Sequence, residues 1–326
     1  MAQTINMDAV PGGDPKKKAL PSDSRYGWLK ALWRNRKSRV GVIIFLVFVF
    51  IAILAPLIAR YSPTSTHFGL LQPPSARHWF GTTGLGQDVW AQFVWGTRSS
   101  LIVGFGASVL STILAVAIGM YPAYRGGRLD QTMATLTNIF MVIPGLPLMI
   151  VAAAYVHETN AFSMMLIIGL TGWAGRARVL RSQTLSMANR EFVWAARLTG
   201  ASNGRVLVRE ILPNMTSLFF ASLMYGVLGA ILAEAGLEFL GLGNLTGASW
   251  GSMLYWANNG GAVLNGAWWW LLPGGLAIAV FGMSLALINF GLDEVTNPRL
   301  RVVATMKPGR RRYGKLAGKG GSFDEA

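Results

Sequence analysis

Apolar residues run along this chain in blocks longer than a soluble core element needs, separated by short polar or basic stretches. A bilayer core about 30 Å thick takes roughly 20 helical residues at about 1.5 Å each. Residues 40–59 form the first such block, uncharged and rich in Ile, Phe and Val. A cleaved signal peptide would be shorter, lie nearer the start and end in small residues, so the block reads as an uncleaved first span. Further blocks fall at 100–120, 131–156, 161–175, 212–233 with an extension to 240, and 268–292. The fourth is short because Arg176 ends it. Pro144 and Pro147 lie inside the third and predict a bend, which neighbouring helices can tolerate by satisfying the freed carbonyls. The expected fold is an all-α membrane protein of six transmembrane helices. Its segments are a basic N-terminal stretch (1–38), a first span with an outer loop (39–98), a five-helix core (99–298) containing a cytoplasmic loop (176–212), and a basic tail (299–326).

Composition supports that reading. Of 326 residues, 52% are hydrophobic and 13% charged, against about 25% charged in soluble domains. No Lys or Arg occurs between Arg209 and Arg299, and 239–292 is uncharged throughout. A net charge of +15 would suggest a nucleic-acid partner in a soluble protein. Here its placement says otherwise. Nine basic residues lie in 16–39, two in the 121–130 turn, seven in 176–209 and eight after Pro298. Only Arg60, Arg77 and Arg98 remain, beside the loop after the first span. By the positive-inside rule both termini, the 121–130 turn and the 176–210 loop are cytoplasmic. The 61–97, 157–160 and 241–267 segments then face outward. No nucleic-acid partner is expected. Trp268, Trp269 and Trp270 open the last span as an expected interfacial aromatic belt. The tails, rich in Gly, Pro, Ser and charge, are expected to lack structure and to attract anionic lipid.

The residues give little for catalysis. Cysteine is absent, and His67, His78 and His157 lack ligand spacing, so neither metal nor cofactor is expected. Residues 314–320 carry three glycines and two lysines but fail the phosphate-loop spacing and lack its Ser or Thr. No nucleophile constellation accompanies the spans. An enzyme is not expected, and the chain should not hydrolyse ATP alone.

Residues 189–213 are the most informative. A helix over about 189–198 is stopped by Gly200, suited to a helix C-cap. A second helix starts near Ser202, whose hydroxyl can cap it. Pro213 then opens span five. The small residues Ala195, Ala196, Gly200 and Ala201 at the corner allow close approach by another protein. A plain basic inter-span loop would carry the same residues.

This stretch resembles the cytoplasmic "EAA" loop of ABC importer permeases: Ala195 and Ala196, Gly200 four residues on, then Leu212 and Pro213. Trp194 stands where that family usually has Glu. Residues 80–89 (FGTTGLGQDV) with 96–101 (GTRSSL), 231–243 (ILAEAGLEFLGLG) with 249–253 (SWGSM), and 297–299 (NPR) resemble the C-type permeases of oligopeptide and dipeptide importers. Thr83, Gln87 and Glu238 depart from that pattern, which usually has Asp, Arg and often Ser there. The resemblance spans about 25–300. It implies a type I ABC importer permease fold in a bacterial or archaeal plasma membrane. It also implies a second permease as heterodimer partner, two ATPase subunits and an extracytoplasmic binding protein. Glu191, Ala195, Ala196, Arg197, Gly200, Ala201 and Pro213 become the expected ATPase-coupling residues. The expected cargo is di- or oligopeptides, with β-linked oligosaccharides or another small solute as alternatives. Trp250, Tyr255, Trp256, Asn258, Asn259 and Asn265 give the outer segment an aromatic, Asn-rich character compatible with sugars.

Glu234 and Glu238, spaced i and i+4, share a helix face near the outer end of span five. Acids at membrane depth are costly and face a bundle interior or water. They are candidates for contacting cargo, or for bonding to backbone at a helix end. A secondary transporter would need titratable groups at the midplane, yet spans two, three, four and six lack acids.

Overall fold

The structure, a computed structural model, describes residues 33, 35–156 and 160–296, with side chains through 292. Most of both basic tails, His157 of the outer turn and the 297–299 motif lie outside the described residues. What is described is all-α. Its only extended pairing is an isolated bridge between Thr82 and Asp88.

The first helix, α1, is Arg36–Ile53, capped by the Asn35 side chain on the Lys37 N–H. α2 begins at Val89, eleven residues before the expected span, because the Asp88 carboxylate caps it by accepting the Ala91 N–H. It runs apolar through to Arg125, with a wider π-helical turn at Val116–Met120. α3 (Gly127–Val142) and α4 (Gly145–Ala154) replace the expected third span and meet at 83°. The break is sharper than a bend. Ile143 takes extended geometry before Pro144, as the proline ring demands, while Pro147 falls in the first turn of α4 where no helical hydrogen bond is lost.

α5 (Ala161–Thr171) and α6 (Ala174–Ala188) follow, then the short α7 (Glu191–Leu198) and α8 (Asn203–Val206). A π-helical segment, Leu207–Ile211, leads through Leu212–Asn214 into α9, Thr216–Phe239. Span five therefore starts after Pro213 rather than at it. α10 (Trp250–Asn259) lies within the segment expected as an outer loop, and α11 is Trp268–Thr296.

By length and composition three helices can cross a bilayer: Val89–Arg125, Thr216–Phe239 and Trp268–Leu292. The α3/α4 pair makes a fourth if taken as one span. α1 is 18 residues long but begins with Arg36, Lys37 and Arg39, and α5 has 11 residues.

α1 packs along α11, and α5 and α9 along α2. Phe48, Trp250 and Phe281 interlock between α1, α10 and α11, with the Phe48 ring edge-on to the indole at 5.6 Å. The tryptophan trio separates. Trp268 is exposed and fits a lipid interface. Trp269 donates to the Thr82 carbonyl at 3.3 Å, and Trp270 is buried among Val89, Met253 and Ala257. One indole, not three, is free to serve a belt.

Gly41 is where α1 meets α11 most closely. A Cβ there would lie 2.7 Å from both the Ser284 carbonyl oxygen and the Leu287 Cβ. Small residues at such crossings let membrane helices approach and gain dispersion contact. Gly41→Leu is expected to cost about 1–3 kcal/mol of overpacking or more. It should lower the melting temperature of the purified chain and its membrane yield; unchanged melting would disprove the tight crossing.

Candidate functional site

Two short helices form a knob at the ends of α2 and α6. Arg190 enters α7 in extended geometry, Glu191 sits in its first turn and Arg197 in its last, both matching the helix dipole. Gly200, with φ +78°, ends the helix. The Gly200 N–H reaches the Arg197 carbonyl (3.0 Å) and the Ala201 N–H the Ala196 carbonyl (3.2 Å), the paired bonds of a Schellman cap. The expected hydroxyl cap on the next helix is absent: Ser202 precedes α8 with its side chain making no capping bond, and its carbonyl accepts from Val206.

Alternation of faces then seats the knob. Val193, Val206, Leu207 and Ile211 are buried against Met120, Tyr124, Trp173, Ala177 and Leu180. Ala196 and Ala201 pack partly against the same cluster. The opposite face is bare. Glu191, Ala195, Gly200 and Pro213 are exposed, and Leu198 and Trp194 are 87% and 52% accessible. Arg197 points inward: its Nε donates to the Tyr124 hydroxyl at 2.9 Å, and the guanidinium lies 4.6 Å over that ring. Nearby, Arg181 of α6 forks onto Asp130 of α3 at 2.8 and 2.7 Å, and hydrogen bonding to this carboxylate raises the guanidinium above its ordinary pKa.

At the other end of α9, Glu234 and Glu238 are both buried. Glu238 accepts from the Ser249 hydroxyl. Ser249 in turn forms a reciprocal capping box with Ser252 at the start of α10. The Trp250 N–H donates to Ser100 and its indole to Thr97, both at 3.2 Å. Ser100 also faces the Glu234 carboxyl, whose Oε2 has no hydrogen-bond partner among the described residues. The acid pair thus binds α9, α10 and α2 together. Trp250 is fully buried and the Trp256 indole donates to the Leu245 carbonyl, so two of the outer aromatics are already engaged.

Three features were not anticipated from the sequence. His78 Nδ1 and Asp88 Oδ2 form a buried pair at 2.7 Å that ties the outer loop to the cap of α2. Tyr124 receives Arg197. Arg176 lines a cavity of about 670 Å³ between α4, α5, α6 and α9. Among the described residues no group of His, Asp or Glu could hold a metal.

Known proteins match this arrangement over nearly its whole length. Residues 111–302 match the family described as binding-protein-dependent transport system inner membrane component, and residues 27–74 the N-terminal TM domain of oligopeptide transport permease C. The chain is 34% identical over 300 residues to the oligopeptide transport system permease protein OppC of Bacillus subtilis (strain 168), covering 90% of this chain and 96% of that one. It is 32% identical over 302 residues to the dipeptide transport system permease protein DppC of the same organism, covering 91% and 92%. An all-α chain with apolar spans and a capped, seated knob, matched over most of its length, belongs to the binding-protein-dependent transport system inner membrane component family and has the permease fold of type I ABC importers.

Proposed function

We propose that this chain is one permease of a peptide-importing ABC transporter, lining half of the pathway and leaving ATP hydrolysis to partner ATPases. A second permease, two ATPase subunits and an extracytoplasmic binding protein complete the assembly. In this reading α1 and α5 also cross the membrane, giving six spans with both termini inside. The 1–38, 39–98, 99–298 and 299–326 segments keep the roles expected for them. Glu191, Ala195, Ala196, Gly200, Ala201 and Pro213 present the knob to an ATPase cleft, and Arg197 secures it from behind. Glu234 and Glu238 fasten α10 to α9 instead of gripping cargo. Peptides are favoured as cargo by the named relatives.

The observation that carries the reading is the bare tip. Leu198 stands in the open, and Trp194 is half-exposed with the Arg197 guanidinium 5.2 Å over its ring, on a helix whose other face buries Val193 and packs Phe192 and Ala196. Apolar side chains so presented in a basic, non-lipid segment mark a protein contact. The chain has no cysteine, so Leu198→Cys gives a single thiol. In the assembled complex that thiol is expected to cross-link to an ATPase subunit, with yield changing on ATP addition, while proteoliposomes take up peptide only with ATP. Labelling of this thiol from the external face by an impermeant reagent would overturn the reading.

A further inference from the structure

We propose that Arg176 forms an anion seat in the translocation cavity, taking the carboxylate of a peptide on its way to the cytoplasm. The proposal rests on the permease reading above and adds a residue to the pathway. Arg176 lies 16 positions after Asn160, which caps α5. The helix is interrupted at Gly172 and Trp173, so Arg176 lies in the first turn of α6, at the cytoplasmic end of the fourth span in the permease reading. A guanidinium near a span end either snorkels to the interface or turns into the bundle, and the bonds of Arg176 to α2 show that it turns inward.

The structure provides for this cation without neutralising it. Arg176 Nη1 donates to the Ser108 carbonyl at 3.0 Å, the Ser108 hydroxyl at 3.3 Å and the Thr112 hydroxyl at 3.2 Å, all on α2. Gly226 of α9 makes the room. A Cβ there would lie 2.5 Å from Nη1 and 2.9 Å from Cζ. None of the hydrogen bonds among the described residues uses Nε or Nη2, and no described carboxylate pairs with this arginine. The unused Nε/Nη2 edge is the side of the guanidinium that holds a carboxylate by two parallel bonds.

That edge belongs to a residue lining a mostly apolar cavity, with Met149, Ile168 and Val179 on one side and Leu218, Ser222 and Gly226 on the α9 wall. Ser222 and Tyr225, the latter 58% accessible, add hydroxyls to this wall beside the guanidinium. A structural pin alone would not require a spare fork opening onto space large enough for a peptide end.

The test uses the whole complex in proteoliposomes with two peptides that both load the binding protein to saturation, tri-alanine and its C-terminal amide. A third, the amide of Ala-Glu-Ala, separates a side-chain carboxylate from a terminal one. Wild type is expected to import tri-alanine at least tenfold faster than its amide. Arg176→Gln should bring tri-alanine down to the rate of the amide and leave the amide unchanged. Arg176→Lys, which keeps the charge, should retain part of the preference. If the Glu-containing amide is also fast and slows in Arg176→Gln, the seat takes any carboxylate; if it is slow throughout, the seat reads the terminus, and both results support the proposal. Equal slowing of all three peptides in Arg176→Gln makes the arginine merely structural and overturns it. Uptake without preference in wild type overturns it even if the variants fail to assemble. Wild type that imports no peptide with ATP overturns the peptide reading, and this proposal with it.

Discussion

Gly200→Trp is expected to leave the chain in the membrane at normal level, strip the ATPase subunits during purification and abolish ATP-driven uptake. The residue sits at φ +78°, a left-handed conformation that costs a side chain about 1–2 kcal/mol. Nothing lies within 4 Å of a Cβ built there. A side chain there leaves the backbone into open space, so the indole is expected to project from the exposed side of the knob. A bulky wedge in the middle of a docking face costs about 2–4 kcal/mol where small residues had allowed contact, or roughly 30- to 1,000-fold in association. Gly200→Ala separates the two effects, since it carries the backbone cost but no wedge. It should keep the ATPases bound and lower uptake only about fivefold. The readouts are ATPase recovery with the tagged permease and initial uptake rate. Normal transport by Gly200→Trp would remove the knob from the coupling path.

The knob is the part of the molecule most legible in the sequence, because its signals are local. Gly200 after a short run ending at Leu198 requires only chemistry a few residues wide, and the structure puts α7 at Glu191–Leu198 with that glycine left-handed. The bend at Pro144 was legible for the same reason, though its 83° depends on how α4 packs on α5. Inside and outside of the spans were not legible. Helices apolar on every side carry no stripe to separate a core face from a lipid face. Nothing in 268–270 therefore shows that Trp270 belongs to the core while Trp268 does not. Pairings across the fold were hidden too. Arg176 reads as the first of seven cytoplasmic bases until α2 brings Ser108 and Thr112 to it from more than sixty positions away. For Glu238 the residues alone leave a pathway contact and a helix-end bond equally open, and its partner Ser249 at the cap of α10 cannot be read from the spacing.

Arg197→Ala is expected to uncouple the transporter without dissolving it: the ATPases co-purify and hydrolyse ATP, while uptake per ATP falls about 10- to 100-fold. The distinction from Gly200→Trp follows from which way each residue faces. Arg197 reaches inward from the last turn of α7 to Tyr124, which is 5% accessible at the end of the 37-residue helix Val89–Arg125. A hydrogen bond from a charged donor contributes about 1.5–3 kcal/mol, and the cation over the ring about 0.5–2 kcal/mol. Together these stiffen the joint between the knob, which an ATPase moves in the proposed reading, and the helix Val89–Arg125. With the side chain gone, Val193 and Val206 still hold the knob in place, so docking survives, but the joint yields under load and ATP is spent without moving α2. Tyr124→Phe keeps the ring under the guanidinium and loses only the hydroxyl, so its uptake per ATP should fall by about 3- to 10-fold. The double variant should be no worse than Arg197→Ala alone, as the Tyr124 hydroxyl acts only through Arg197. Additive losses in that cycle, or ATPase subunits lost from Arg197→Ala, would make Arg197 part of the docking face and leave the transmission of force to the apolar seat.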